Sequence, residues 1–290
     1  MNTYALSVDY KEQKEWNKAP MWLEMAIGAV AGGLFIASLI FKFALGAVVA
    51  LLAMLIGKGA LLLADLGKPE RFLKVLKRPK QSWISKGAWG FMLFAVAGVA
   101  SVAPLVIPSL SWTPWGGAGK ILGIAAGALA AFMMIYDGFF LADSKGVTFW
   151  NNGNLPILFG ANATVGGIGA LMVLAPMGGL VVSSGTLAVA NTVALGVAGL
   201  TLYSYMKSAA NGEGGAQLSA EKLTKGELSN VFWKGTVAAG IAVPLVVSVL
   251  ALMGVNLPVL IWALTGVLEI TGVVALRYSV LNAGVYSPVI

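Results

Sequence analysis

The chain of 290 residues contains no cysteine and no histidine. Without cysteine there is no disulfide, no thiolate metal site, no iron–sulfur cluster and no cysteine nucleophile. Without histidine there is no imidazole for haem, zinc or copper, and no Ser-His-Asp chemistry. A cytochrome anchor that holds b-type haem between histidine pairs is therefore excluded. Charge is also scarce, at 11% of residues against about 25% in a soluble domain. What is abundant is apolar: 58% of side chains, with a mean hydropathy of +0.85. Chemistry is left to carboxylates, Tyr, Lys, Arg and amides, or to a borrowed cofactor.

A membrane span needs about 20 mostly apolar residues. Eight stretches qualify: Pro20–Phe41, Phe43–Asp65, Ile84–Ile107, Lys120–Ala142, Pro156–Met177, Thr186–Lys207, Asn230–Met253 and Asn256–Val280. The fold class expected is all-α integral membrane, with eight transmembrane helices. The first and last pairs are joined by very short turns, at Phe41-Lys42-Phe43 and near Gly254-Val255, which makes antiparallel neighbours of them. The organisation reads as a polar tail over 1–19, a first four-helix bundle over 20–142, a connecting loop over 143–155, a second four-helix bundle over 156–280 and a tail over 281–290. The opening nineteen residues lack the basic start, short apolar core and cleavage site of a signal peptide. An even number of spans places both termini on one side, here termed the terminal side.

Charge is distributed very unevenly. Of 19 Lys and Arg, only Lys42 and Lys120 fall at the far side, which leaves seventeen for the terminal side. The positive-inside rule then places the termini in the cytoplasm. The basic residues between the second and third spans read either as a topology signal in contact with anionic lipid or as a docking surface for a partner subunit. No nucleic-acid module accompanies them. Small residues at Gly28-x-x-x-Gly32 and Gly123-x-x-x-Gly127 suit close helix packing in lipid. Asn211–Gly215 reads as a flexible part of the connection between spans six and seven.

The carboxylates carry the most information. Glu24, Asp65, Asp137, Asp143 and Glu269 lie within or beside spans, where an acidic residue costs up to about 2.5–3.5 kcal/mol at a span centre. Such groups face a bundle interior or a wet cavity. Glu24, Asp65, Asp137 and Asp143 lie toward the terminal ends of their helices, whereas Glu269 is deeper, near the middle of the last span. The polar interior therefore opens to the terminal side. Tyr136 and Asp137 are neighbours and cannot both point the same way. Glu269 and Arg277 are two turns apart, too far for a direct i,i+4 pair, so Glu269 needs another partner or a proton.

Several segments taken together and in order resemble the NrfD/PsrC family, the membrane subunits of polysulfide reductase and related complexes. They are Asp65-Leu66-Gly67-Lys68-Pro69-Glu70-Arg71-Phe72, Ser82-Trp83-Ile84-Ser85-Lys86-Gly87-Ala88-Trp89, Tyr136-Asp137-Gly138-Phe139-Phe140-Leu141, Val147-Thr148-Phe149-Trp150-Asn151-Asn152, Leu268-Glu269-Ile270-Thr271-Gly272 and Leu276-Arg277-Tyr278. The resemblance implies two four-helix bundles and a quinone pocket (menaquinone or ubiquinone) near the membrane face that meets an iron–sulfur subunit. It further implies a catalytic subunit, commonly a molybdopterin enzyme, beyond that one. It also implies no redox metal in this chain, and a place in an anaerobic respiratory chain of a prokaryotic cytoplasmic (inner) membrane.

Residue by residue, Tyr136 looks like the family's pocket tyrosine of span four. Asp65 matches the acidic residue before Leu-Gly-x-Pro, and Glu269 and Arg277 match the span-eight pattern. Thr164 lies where relatives often carry Ser. Some relatives use histidine at the start of span one; this chain has none, and Glu24 or Asn17 stands in that region. The resemblance implies that Tyr136 and a carboxylate bind the quinone headgroup, that Asp65, Asp137 or Glu24 exchanges protons with water on the terminal side, and that Glu269 is a deeper relay. Two other readings of the residues stay open. One is a proton-coupled secondary transporter using Glu24, Asp137 and Glu269. The other is a purely structural anchor, which would need no carboxylate at Glu269.

Overall fold

The computed structural model describes residues 10–14, 18–65, 72–77, 80–117, 119–180, 183–212 and 214–287. The first span is α1 (Ala19–Ile40), which opens on Pro20. Proline suits a first turn because its missing N–H would have no intrahelical partner there. A tight turn at Lys42, with φ 54°, leads into the second span: α2 (Ala44–Leu52), a π-helical segment (Ala53–Lys58) and α3 (Gly59–Asp65). The single turn α4 (Phe72–Val75) precedes α5 (Trp83–Val106) and α6 (Gly119–Ala142).

After a loop come α7 (Leu155–Leu174) and α8 (Ser184–Ala210). The Ser183 hydroxyl caps α8 by accepting the Thr186 backbone N–H at 3.1 Å, satisfying one of the helix's orphan donors. A surface helix, α9 (Gly215–Thr224), follows the Asn211–Gly215 stretch read from sequence as flexible. It buries Ala216, Ser219, Ala220 and Leu223 at helical spacing. The seventh span is a π-helical segment (Val231–Ala242) followed by α10 (Val243–Leu252), and the eighth is α11 (Val259–Ala283). Gly254, at φ 91°, turns one into the other; that backbone conformation is open to glycine at little cost. Among the described residues eight helices are long and apolar enough to cross a membrane, with ends close to those expected.

Packing relations group the spans. In the first half, α1 lies on the second span, the second span on α5, α5 on α6, and α6 back on α1. In the second half α7 lies on α8, α8 on α10, the Val231–Ala242 segment on α11, and α11 back on α7. This pattern is compatible with two four-helix bundles. They meet where α1 packs on α7 and α11 and where α6 packs on α7. Outward positions such as Ile40, Val96, Ile124, Leu200 and Leu260 are apolar and exposed, as expected for helices whose solvent is lipid.

The terminal side carries a fitted cover. The Trp150 indole donates to the Val280 carbonyl at 2.8 Å, and the Tyr205 hydroxyl donates to the Phe149 carbonyl at 2.8 Å. These bonds fasten the 143–153 loop to α11 and α8. The two chain ends join in an antiparallel bridge at Glu12 and Val285, with Gln13 N–H donating to Gly284 O and Tyr286 N–H to Lys11 O.

Candidate functional site

The site is organised by a cation. Lys58 ends the π-helical segment of the second span and is 1% exposed. Its Nζ lies 2.5 Å from the Glu24 carboxylate of α1 and 3.2 Å from Asp137 Oδ1 of α6. A long cationic stem fits here because α1 presents Gly28: a Cβ at that position would meet Lys58 Cδ at 2.6 Å. A π-helical stretch also changes the face a residue presents, and such stretches are frequent at functional positions. Neither carboxylate could be buried unpaired; the lysine between them is what makes the burial tolerable.

A second cation completes a charge-balanced group. Arg277 of α11 is fully buried and interacts electrostatically with Asp137 and Glu24. Its Nη2 donates to the Phe159 carbonyl at 3.2 Å, and the guanidinium lies 3.5 Å from the centre of the Phe159 ring. Among the described residues its Nε and Nη1 donate to nothing, and buried Asn162 Oδ1, one turn along α7 from Phe159, accepts from nothing. Buried atoms left in this state ordinarily hold water or a ligand. Counting back from the terminal helix ends at about 1.5 Å per residue, Glu24, Lys58, Asp137 and Arg277 share a layer roughly 8–10 Å deep.

Tyr136 adjoins this layer. Asp137 takes the inward direction toward Lys58, and Tyr136, its neighbour in the chain, faces α5 and is half-buried. Its ring lies between Phe132 and Phe140, with centroids 5.9 and 6.1 Å away. It covers Gly87, where a Cβ would collide with the phenol. The Tyr136 hydroxyl makes no hydrogen bond among the described residues. A stacked pair, Trp83 and Phe139 with centroids 4.9 Å apart, extends the aromatic wall, and Lys86 lies over Trp83.

Glu269 stands apart from that layer. It is fully buried, and its Oε1 accepts from the Asn191 amide at 2.6 Å; the same amide donates to Ser248 Oγ at 2.9 Å. Three spans, α8, α10 and α11, thus meet at one polar point in the second half. Glu269 Oε2 has no partner among the described residues.

The candidate residues therefore sort themselves. Glu24, Asp137, Tyr136 and Arg277 come together; Glu269 lies in a separate cluster. Thr164 is exposed and bonds the Gly160 carbonyl of its own helix at 3.0 Å, so it lines no interior. Asp143 is exposed. Asn17 and the side chain of Asp65 fall outside the described residues. Sequence reasoning missed Lys58, Asn191 and Ser248. It counted Lys58 only as one of the charges on the terminal side, whereas the residue is buried. A lysine in the midst of the apolar run Ala53–Leu63 was the available signal for the first of them.

A family model described as "Polysulphide reductase, NrfD" matches residues 21–288. No curated protein matches the chain.

Proposed function

We propose that this chain, which belongs to the polysulphide reductase NrfD family, is the quinone-reactive membrane subunit of an oxidoreductase complex. It exchanges electrons between the membrane quinone pool and a partner iron–sulfur subunit. The observation that carries this reading is that Tyr136, whose hydroxyl makes no hydrogen bond among the described residues, lies within electrostatic reach of the buried Glu24–Lys58–Asp137 group. Reducing a quinone takes two electrons and two protons; oxidising a quinol releases the same. The electrons belong to the partner's cluster, since this chain has neither His nor Cys. The protons belong to this chain.

In this reading the Tyr136 hydroxyl hydrogen-bonds one headgroup oxygen, held in place by the aromatic wall and the Gly87 notch. Glu24 and Asp137 exchange protons with water on the terminal side, and Lys58 holds the two carboxylates in one buried group. Arg277 balances the second carboxylate. Glu269 serves as the deeper relay. The molybdopterin subunit that completes such complexes acts beyond the iron–sulfur partner. The membrane is the prokaryotic inner one, with the termini and the docking face cytoplasmic by the distribution of Lys and Arg.

Replacing Tyr136 with Phe in the assembled complex tests this. Quinol-linked activity falls by one to several orders of magnitude while assembly and reduction of the iron–sulfur centres by artificial donors persist. Unchanged quinol-linked activity removes the assignment.

A further inference from the structure

A groove that none of Glu24, Lys58, Tyr136, Asp137 or Arg277 lines plays no part in that chemistry. It has a volume of about 420 Å³ and lies where the first, seventh and eighth spans come together. Its mouth is formed near the terminal helix ends by Trp22, Asn230, Lys234 and Tyr278, and its walls continue along α11 through Val274 to Thr271. Asn230, Lys234 and Thr271 are exposed, so the groove opens sideways, toward what surrounds the spans. The Val231–Ala242 segment is π-helical, and Lys234 stands in its first turn. The wider helix sets that residue at the edge of the groove.

We propose that this groove binds an anionic phospholipid. Three observations converge on that occupant. First, Lys234 pairs with no carboxylate among the described residues, so its charge is available to a phosphate. A lysine near a helix end reaches the headgroup layer with its ammonium while its stem stays in the apolar part. Second, Trp22 and Tyr278 meet edge to face, with centroids 5.5 Å apart, at the mouth. Aromatic side chains with one polar edge favour the level of the headgroups. The Trp233 indole fixes the same level by donating to the Thr224 carbonyl of α9 at 3.0 Å. Third, the walls below the mouth, formed by Gly235, Val274 and Ala275, offer an acyl chain apolar contact and no charge. The net charge of +7, gathered largely on the terminal side, gives the same preference for an anionic leaflet.

This proposal stands whether or not the chain reacts with quinone. Its test is lipid retention by the purified complex after exchange into nanodiscs of equimolar phosphatidylglycerol and phosphatidylcholine, read by native mass spectrometry. Phosphatidylglycerol is retained in preference, and Lys234→Gln lowers that preference by about fivefold, as expected for one lysine at an anionic surface. Thr271→Trp, which fills the lower groove from an exposed position, releases the bound lipid of either headgroup. Equal retention of the two lipids, or a preference unchanged in Lys234→Gln, overturns the proposal. So does bound quinone that leaves only in Thr271→Trp, because the groove would then belong to quinone.

Discussion

The Lys58 ammonium and the Glu24 carboxylate face each other at 2.5 Å, across the first and second spans and away from bulk water. With Asp137 at 3.2 Å on the other side, the lysine places one positive charge between two acids. Replacing it with Met removes that charge and leaves both carboxylates buried. Breaking a buried pair in this way costs about 3–5 kcal/mol. Lys58→Met should therefore lower the thermal midpoint of the detergent-solubilised protein sharply, and Glu24→Gln/Lys58→Met should regain part of the loss. Fluorescence-detected gel filtration after heating measures both. A single variant as stable as the native chain contradicts the pairing.

Gly87 offers a way to move Tyr136 without removing its hydroxyl. Any Cβ there overlaps the phenol ring, so Gly87→Ala must push the side chain aside. Overpacking of this kind costs about 1–3 kcal/mol. Quinol-linked activity should fall as far as it does in Tyr136→Phe. Gly153→Ala is the control, since a Cβ there meets nothing within 4 Å; it should leave stability and activity unchanged.

The eight spans were legible because hydropathy over about 20 residues is a collective signal, insensitive to any single side chain. Four of the six residues put forward for the chemistry can be placed by the same logic, since an acid in an apolar helix needs a reason to be there. The partners were not legible. Lys58 looked like one more positive charge in a topology count, and Asn191 and Ser248 look like ordinary polar residues in a helix. Their meaning comes from which spans lie side by side, and no residue spacing within one helix encodes that. The two π-helical segments were equally hidden: they add no residue type that an α-helix would lack. Thr164 shows another limit, because a family position names the residue while only the fold shows that its helix turns that side chain outward.

Asn191 tests how the second half holds the buried carboxyl of Glu269. Its amide is the one donor on Glu269 among the described residues, at 2.6 Å, and it also reaches Ser248. Asn191→Leu keeps the volume and removes the donor, leaving a buried acceptor unsatisfied at a cost of about 1–3 kcal/mol. Glu269→Gln in the same background should add little further loss, because the pair is already broken. A double-mutant cycle by thermal unfolding, with a coupling above about 1 kcal/mol, is the expected outcome; simple additivity would show that the two side chains act independently.

The joined chain ends should respond to acid. Glu12 accepts from Lys222 Nζ at 2.7 Å, and Lys222 also reaches Glu227 at 3.1 Å. The hydrogen bond from Lys222, and then its charge, hold the Glu12 carboxyl below its ordinary value of 4.5. A group lowered in the folded state stabilises that state above its unfolded pKa, and the contribution disappears as pH falls through the folded one. The clamp should therefore be intact at neutral pH and open progressively below about pH 4.5. Hydrogen exchange at the Gln13 and Tyr286 amides, which close the bridge between the ends, reads the opening once the intrinsic pH dependence of exchange is removed. In Glu12→Gln protection should be weaker at neutral pH and should no longer change across the acid range. A clamp that opens identically in that variant would place the titrating group elsewhere.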